Sequence, residues 1–248
     1  MFIIFAKQLI TIMRALPIIS TIILLCFFIS SCRSKVEGEG PINLHEVKIS
    51  NFDKLYLEIP AHIVIENSDT STFTIACQDN ILQELTIHNI GKKLLIESSK
   101  KFNSQKPIEI IITTPKVYYI DIAGQGQVDY NPVVYQSELK INLSGSGKIN
   151  SRINTESIEV KINDNGNVVL SGKSAILKGT LNGSGDIHAY DLIADKCKFE
   201  INGAGNVRCS PSTLLKATID GSGDVFYRGT PEIKSEIKGS GQIKRESK

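Results

Sequence analysis

Asp186, His188, Asn206, Arg208 and Asp224 are the residues of this chain whose types and spacing could do chemistry. Asp186 and His188 are two positions apart, and the same offset joins Asn206 to Arg208 and Asp224 to Phe226. On a strand, residues two apart share a face, so stacking such pairs would place acids in one column and a histidine and an arginine in the next. Carboxylates beside a basic group are what a polysaccharide-acting surface needs for proton transfer. The same pattern is also an ordinary solvated ladder of charges, which requires no function. Other chemistries are not signalled. There is no Walker lysine pattern and no GxSxG, and the GxG segments open strands rather than a helix, so they do not form a phosphate-cradling loop. The Asp of GSGD follows its glycine directly, unlike the calcium-binding nonapeptide repeat, and no Cys/His pair has zinc-ligand spacing.

The elements that must position these residues are legible in a repeat. IAGQGQV (Ile122 to Val128), LSGSGKI (Leu143 to Ile149), INDNGNV (Ile162 to Val168), LNGSGDI (Leu181 to Ile187), INGAGNV (Ile201 to Val207), IDGSGDV (Ile219 to Val225) and IKGSGQI (Ile237 to Ile243) follow one another at steps of 18 to 21 residues. Upstream of each corner apolar residues alternate, as in Leu139, Ile141, Leu143 and Ile158, Val160, Ile162. Period two means strand, and downstream one apolar residue again points inward. Each unit is strand, sharp corner, strand. The period is that of a solenoid, although a meander of antiparallel hairpins uses similar loops.

Two features of the corner favour stacked parallel coils. The second glycine, at Gly126, Gly147, Gly166, Gly185, Gly205, Gly223 and Gly241, is present in every copy, whereas Asp164 replaces the first in the third copy. Asp tolerates the left-handed region, so the first position is expected to be left-handed. The second is expected to need a conformation barred to a β-carbon, or a close approach to the coil above. Before the first glycine, Asn163, Asn182, Asn202 and Asp220 occupy consecutive units. Stacked at the ~4.8 Å strand spacing, their side chains would form an Asx ladder.

Residues 1–31 form a leader. Only Lys7 and Arg14 are charged, and the apolar run from Leu16 to Ile29 ends in Ile29-Ser30-Ser31-Cys32. This is a secretory signal, and its end resembles the lipobox of bacterial lipoproteins, which implies that Cys32 is the lipid attachment site and first mature residue. Translation starts at Met1 or Met13. Cys26 is the competing site, but Leu25 before it is too bulky. The organisation read from the chain is a signal peptide over 1–31, a tether over 32–42, an N-terminal β section over 43–116 and the GSG-repeat solenoid over 117–248. In the β section alternation recurs at Leu55, Leu57, Ile59 and at Ile108, Ile110, Ile112, with a short helical turn expected over Asn80 to Glu84. It caps the solenoid's first coil or forms a unit of its own.

Of 28 Lys and Arg, two lie in the leader, leaving 26 against 26 Asp and Glu. That balance excludes the basic surplus of a nucleic-acid binder. Cys77, Cys197 and Cys209 remain after Cys32; an odd number beside apolar neighbours reads as buried free thiols. Tyr118, Tyr119, Tyr130, Tyr135, Tyr190 and Tyr227 could offer stacking surfaces for sugars, but there is no Trp, and tyrosine at sheet margins more often packs with its hydroxyl in water. His45, His62 and His88 are scattered, as surface or turn residues are.

The repeated [ILF]-[ND]-G-[SA]-G pattern, behind a lipoprotein-like leader and a β-rich first half, resembles the head GIN domain family of adhesin-like proteins over roughly Val47 to Ile243. The resemblance implies a right-handed parallel β-helix without an established catalytic site. The expectation is a lipid-anchored, exported, non-enzymatic binding module of the cell envelope, held in the outer membrane, with no cofactor and no metal. Its ligand would be a glycan or a surface protein. The alternative is a carbohydrate-active enzyme of lyase or hydrolase type using the Asp186/His188/Asp224 face. The last coil has no cap beyond Lys244 to Lys248, so self-association through that end is a further expectation.

Overall fold

The computed structural model describes residues 35–132 and 135–247; the leader and Cys32 lie outside the described residues. Strands are numbered β1 to β19 along the chain, and 17 of them join in one sheet. β10 (Tyr119–Gly124) and β11 (Gln127–Tyr130) make the first GxG-cornered coil, and β12 (Gln136–Gly145) lies parallel to β10. β13 (Lys148–Ile162), β14 (Asn167–Leu181), β15 (Asp186–Ile201) and β16 (Val207–Ile219) each run from the second leg of one coil into the first leg of the next and pair parallel, with register shifts after Val169 in β14 and between Ala189 and Lys196 in β15. β17 (Val225–Tyr227), β18 (Glu232–Ile237) and β19 (Ile243–Arg245) complete the stack. The chain is a parallel β-solenoid, and the antiparallel meander is excluded.

The sheet passes through position 116 without a break. β3 (Lys54–Leu57) and β4 (Ala61–Asn67) pair parallel with β10 and β11 and form the coil beneath them. Beneath that lie β7 (Lys93–Ser98) and β9 (Ile108–Thr114), again parallel. Antiparallel pairing is confined to the base. There β6 (Leu85–Ile90) edges β7, β5 (Thr72–Gln78) edges β9, and β2 (Ile42–Val47) edges β5. Helix α1 (Asp79–Leu82) buries Ile81 against this floor. The described part of the expected tether is not free: β1 (Val36–Glu37) pairs with β8 (Phe102–Asn103), because two short extended segments satisfy each other's backbone groups there.

The core is a set of vertical aliphatic columns. In one, Leu57, Ile122, Leu143, Ile162, Leu181, Ile201 and Ile219 stack coil on coil, and all are fully buried. Each such side chain contributes about 1.5 to 3 kcal/mol by leaving water. The column ends at Ile237, which is 43% exposed, beside Ile233 at 41%. These two continue the core columns in register, and among the described residues no strand pairs with their outer edge.

That column also explains the second glycine. A β-carbon on Gly126 would strike Leu57, on Gly147 Ile122, on Gly166 Leu143, on Gly185 Ile162, on Gly205 Leu181, on Gly223 Ile201 and on Gly241 Ile219, in every case the aliphatic residue of the coil below. Close approach, not a special φ, excludes side chains. The expected left-handed first position is corrected likewise. Among the corner glycines only Gly124 (φ 108°) and Gly145 (φ 136°) are left-handed, and Asp164 is not. Higher up, the first glycine is confined by the carbonyl beneath it: a β-carbon on Gly203 would lie 2.2 Å from the Gly183 oxygen.

Candidate functional site

The Asx ladder forms over three of its four positions. The amide Nδ2 of Asn182 donates to Asn163 Oδ1 at 3.0 Å, and that of Asn202 donates to Asn182 Oδ1 at 2.9 Å. Asn163 donates in turn to Ser144 Oγ at 3.3 Å. Donation runs down the stack, so Asp220, which has no donor, cannot extend it. Its charge instead faces Lys238 in the last coil and helps hold that ammonium's pKa above its usual value, after the larger effect of Glu236.

Asp186, His188, Asn206, Arg208 and Asp224 do lie together on the outer face of the second leg. His188 is in register with Arg208, and Arg208 with Phe226. An oxygen of each of Asp186, Asn206 and Asp224, however, is engaged by the backbone. Asp186 Oδ1 accepts from the Asn206 N–H at 2.7 Å, Asn206 Oδ1 from the Asp224 N–H at 3.1 Å, and Asp224 Oδ1 from the Gln242 N–H at 2.8 Å. In lower coils the equivalent N–H reaches a glycine carbonyl, as Asn167 reaches Gly147. The short Asp and Asn side chains thus replace a backbone acceptor where the corner tightens and two N–H groups crowd onto one carbonyl, as on Gly183. Asp224 also binds Lys244 Nζ at 2.7 Å, which holds its carboxyl below the usual range. Burial, followed by the Arg208 charge, lowers the pKa of His188; its Nε2 is 3.9 Å from Asp186 Oδ2. Arg208 lies over the Phe226 ring at 5.3 Å.

A separate concavity lies near the base. A cavity of about 540 Å³ opens between the loop 102–107 at the base and the corners of the two coils above it. Its walls include Lys35, His62, Phe102, Gln105, Lys106 and Gln127. Gln105 Nε2 donates to the Gly38 carbonyl, and Ser104 Oγ to buried Gln78, so β1 and its neighbours are tied across this opening. His62 is the chemically distinctive side chain here. Its Nδ1 is 2.8 Å from Glu109 Oε2 and its Nε2 is 2.6 Å from Asp129 Oδ2, across three successive coils. With both ring nitrogens against carboxylates the imidazolium is favoured. Burial pulls its pKa down, but the Asp129 hydrogen bond and the Glu109 charge outweigh that and raise it. For Asp129 burial opposes ionisation, yet the hydrogen bonds from Asn150 and His62 prevail and lower its pKa.

Sequence reasoning left His62 among scattered residues, because its partners are 47 and 67 positions away. Only the parallel register of β4, β9 and β11 joins them. Of the six tyrosines, Tyr130 is a packing residue and no stacking surface. It is buried, it accepts from the Val117 N–H and donates to Gln136 Oε1, and burial pushes its pKa up to about 12. Tyr119 packs on Tyr56 with ring centres 5.3 Å apart and donates to Asp121 at 2.7 Å. Cys77, Cys197 and Cys209 are free and buried. Among the described residues no group of three or more His, Cys, Asp or Glu could hold a metal ion, and no helix is long and apolar enough to cross a membrane.

A continuous parallel β-solenoid, with polar ladders on its outer faces and a cavity near its base, defines a repeat protein that displays surfaces on a rigid scaffold. Residues 51–231 match the family described as "Putative auto-transporter adhesin, head GIN domain", and the chain belongs to that family. Three crystal structures share the fold. A "putative adhesin" from Bacteroides fragilis is 24% identical with a TM-score of 0.79, covering 85% of this chain and 100% of its own. A "Putative lipid binding protein" from Parabacteroides distasonis is 21% identical with a TM-score of 0.72, covering 86% and 100%. A second P. distasonis protein, also described as an adhesin, is 20% identical with a TM-score of 0.61, covering 86% and 100%. The comparison with curated proteins gave no match.

Proposed function

We propose that this protein is an adhesin-like, non-enzymatic binding module of the cell envelope, exported and held at the outer membrane through a lipid on Cys32. The observation that carries the reading is the use made of the outer-face acids. Asp186, Asn206 and Asp224 each hold a backbone N–H of the coil above, so they act as structural fasteners of a display surface. Family membership supports the adhesin-like character. A glycan or a surface protein is the ligand class that suits rigid polar faces of this kind. The alternative, a carbohydrate-active enzyme, draws on His188, whose pKa burial lowers, 3.9 Å from Asp186.

One experiment addresses both readings. The protein is screened against glycans and envelope or host-surface proteins, and every glycan that binds is tested for turnover. Binding without turnover, unchanged by His188→Ala, is expected; turnover abolished by His188→Ala would establish the enzyme instead. For the anchor, Cys32→Ala is expected to remove acyl labelling and release the protein from the membrane fraction. Labelling that persists, or that moves to Cys26, would overturn that part.

A further inference from the structure

The outer face of the first leg carries a ladder that neither the sequence pattern nor the corner geometry requires. Parallel register sets Lys178 beside Lys198, Lys198 beside Lys216, and Lys216 beside Lys234. Four ammonium groups thus follow one another up the face, one per coil, at the ~4.8 Å strand spacing. Like charges directly opposite on neighbouring strands are destabilising. Lys234 is relieved by Glu232 at 3.1 Å and Lys178 is in register with Glu159 of the coil below, but among the described residues no carboxylate lies within 4.0 Å of Lys178, Lys198 or Lys216. These three line a shallow groove of about 270 Å³ together with Thr180, Glu200 and Thr218, which form the adjacent column.

We infer that this groove binds a linear acidic polysaccharide, one whose sugar rings carry carboxylates, laid along the solenoid axis across Lys178, Lys198 and Lys216. The lysines recur at the ~4.8 Å coil spacing, so they offer a continuous line of positive charge to the carboxylates of such a chain. Thr180 and Thr218 offer hydroxyls to the ring hydroxyls. Glu200 accepts from them as well, a role that a ligand made only of anionic groups would not use. Nucleic acid fits less well. The face has no exposed aromatic platform for bases, and the mature chain has no basic surplus. The inference rests on the proposed binding function and gives that function a ligand class and a face.

The test uses the full-length protein and polygalacturonate as the probe, with dextran as the neutral polymer and a single-stranded DNA oligomer as the competing polyanion. Lys178→Gln/Lys198→Gln/Lys216→Gln is compared with Lys48→Gln/Lys92→Gln/Lys173→Gln, which removes the same charge from exposed positions elsewhere. Polygalacturonate is expected to bind, dextran not, and the ladder variant to bind at least about tenfold more weakly, with less than a twofold change in the control; this follows from three contacts each of ordinary surface ion-pair strength. The ladder variant should also melt at or above the wild-type temperature in low salt, since repulsion is removed, and that shows it is folded. Equal losses in both variants, or DNA bound more tightly than polygalacturonate, would overturn the inference. A failure with polygalacturonate alongside a different hit in the glycan and protein screen overturns this inference alone, whereas a blank screen overturns the binding function itself.

Discussion

Replacing Gly205 by Ala tests the reason for the corner glycines. A β-carbon there would lie 2.1 Å from the Gly185 carbonyl oxygen and 2.9 Å from Leu181 Cδ2, whereas real β-carbons keep at least 3.0 Å from such atoms. The corner must therefore rise by about 0.9 Å, the difference between 3.0 and 2.1 Å. It is held by hydrogen bonds from Ala204 N and Gly205 N to Gly183 O, at 3.0 and 3.1 Å. Such a rise stretches both beyond useful length. Losing two bonds of about 0.5 to 1.5 kcal/mol each and overpacking by about 1 to 3 kcal/mol predicts a loss of at least about 2 kcal/mol in urea melts. Ser184→Ala, at an exposed position of the preceding corner, should stay within about 0.5 kcal/mol. Gly126→Ala should fall between them. Its nearest obstacle is the tip of the Leu57 side chain, which can rotate, and the nearest backbone atom, Ile59 O, is 3.1 Å away. If Gly205→Ala proved as silent as Ser184→Ala, close approach would not be what selects glycine.

Three further outcomes follow from the geometry. His62, with its pKa raised above the ordinary 6.5, stabilises the fold fully below that value and loses its contribution as pH rises through the raised pKa; Asp129, with its pKa lowered from 3.8, contributes above that value. The melting-temperature difference between wild type and His62→Gln should thus be larger at pH 6 than at pH 8.5, reflecting less than about 1 kcal/mol for a pair so open to water, and an equal or reversed difference would refute the pairing. Asn182→Asp removes the donor to Asn163 and sets acceptor against acceptor, so it should cost about 1 kcal/mol and more than Asn182→Ala; the reverse order in denaturant melts would mean that the ladder contributes nothing. At the open end, self-association detected by light scattering should be abolished by Ile237→Lys, whereas a monomer at micromolar concentration in both samples would rule out association through this coil.

The sequence by itself determined the solenoid. Alternation marked the core face of every leg, the GxG corners set the coil length, and the Asn163, Asn182, Asn202 column fixed which residues stack, since local period and turn chemistry are properties of a short stretch of chain. The sequence also aligned Asp186 with Asn206 and Asp224 correctly, because equal coils carry equal positions into one column. It could not say that those side chains hold backbone N–H groups of the next corner, since that depends on how tightly one corner settles on another. Nor could it distinguish a left-handed corner from a crowded one: both forbid side chains, and only the distance from Gly205 to the coil beneath separates them. The base was decided by tertiary structure alone. Its lowest coil, β7 and β9, comes later in the chain than the coil above it, so His62 meets Glu109 and Asp129 through a crossing of chain order that no repeat announces. The lysine ladder lies between these cases. Its members recur once per coil, but the absence of neutralising partners at Lys178, Lys198 and Lys216 depends on side-chain placement across coils, which the order of residues does not contain.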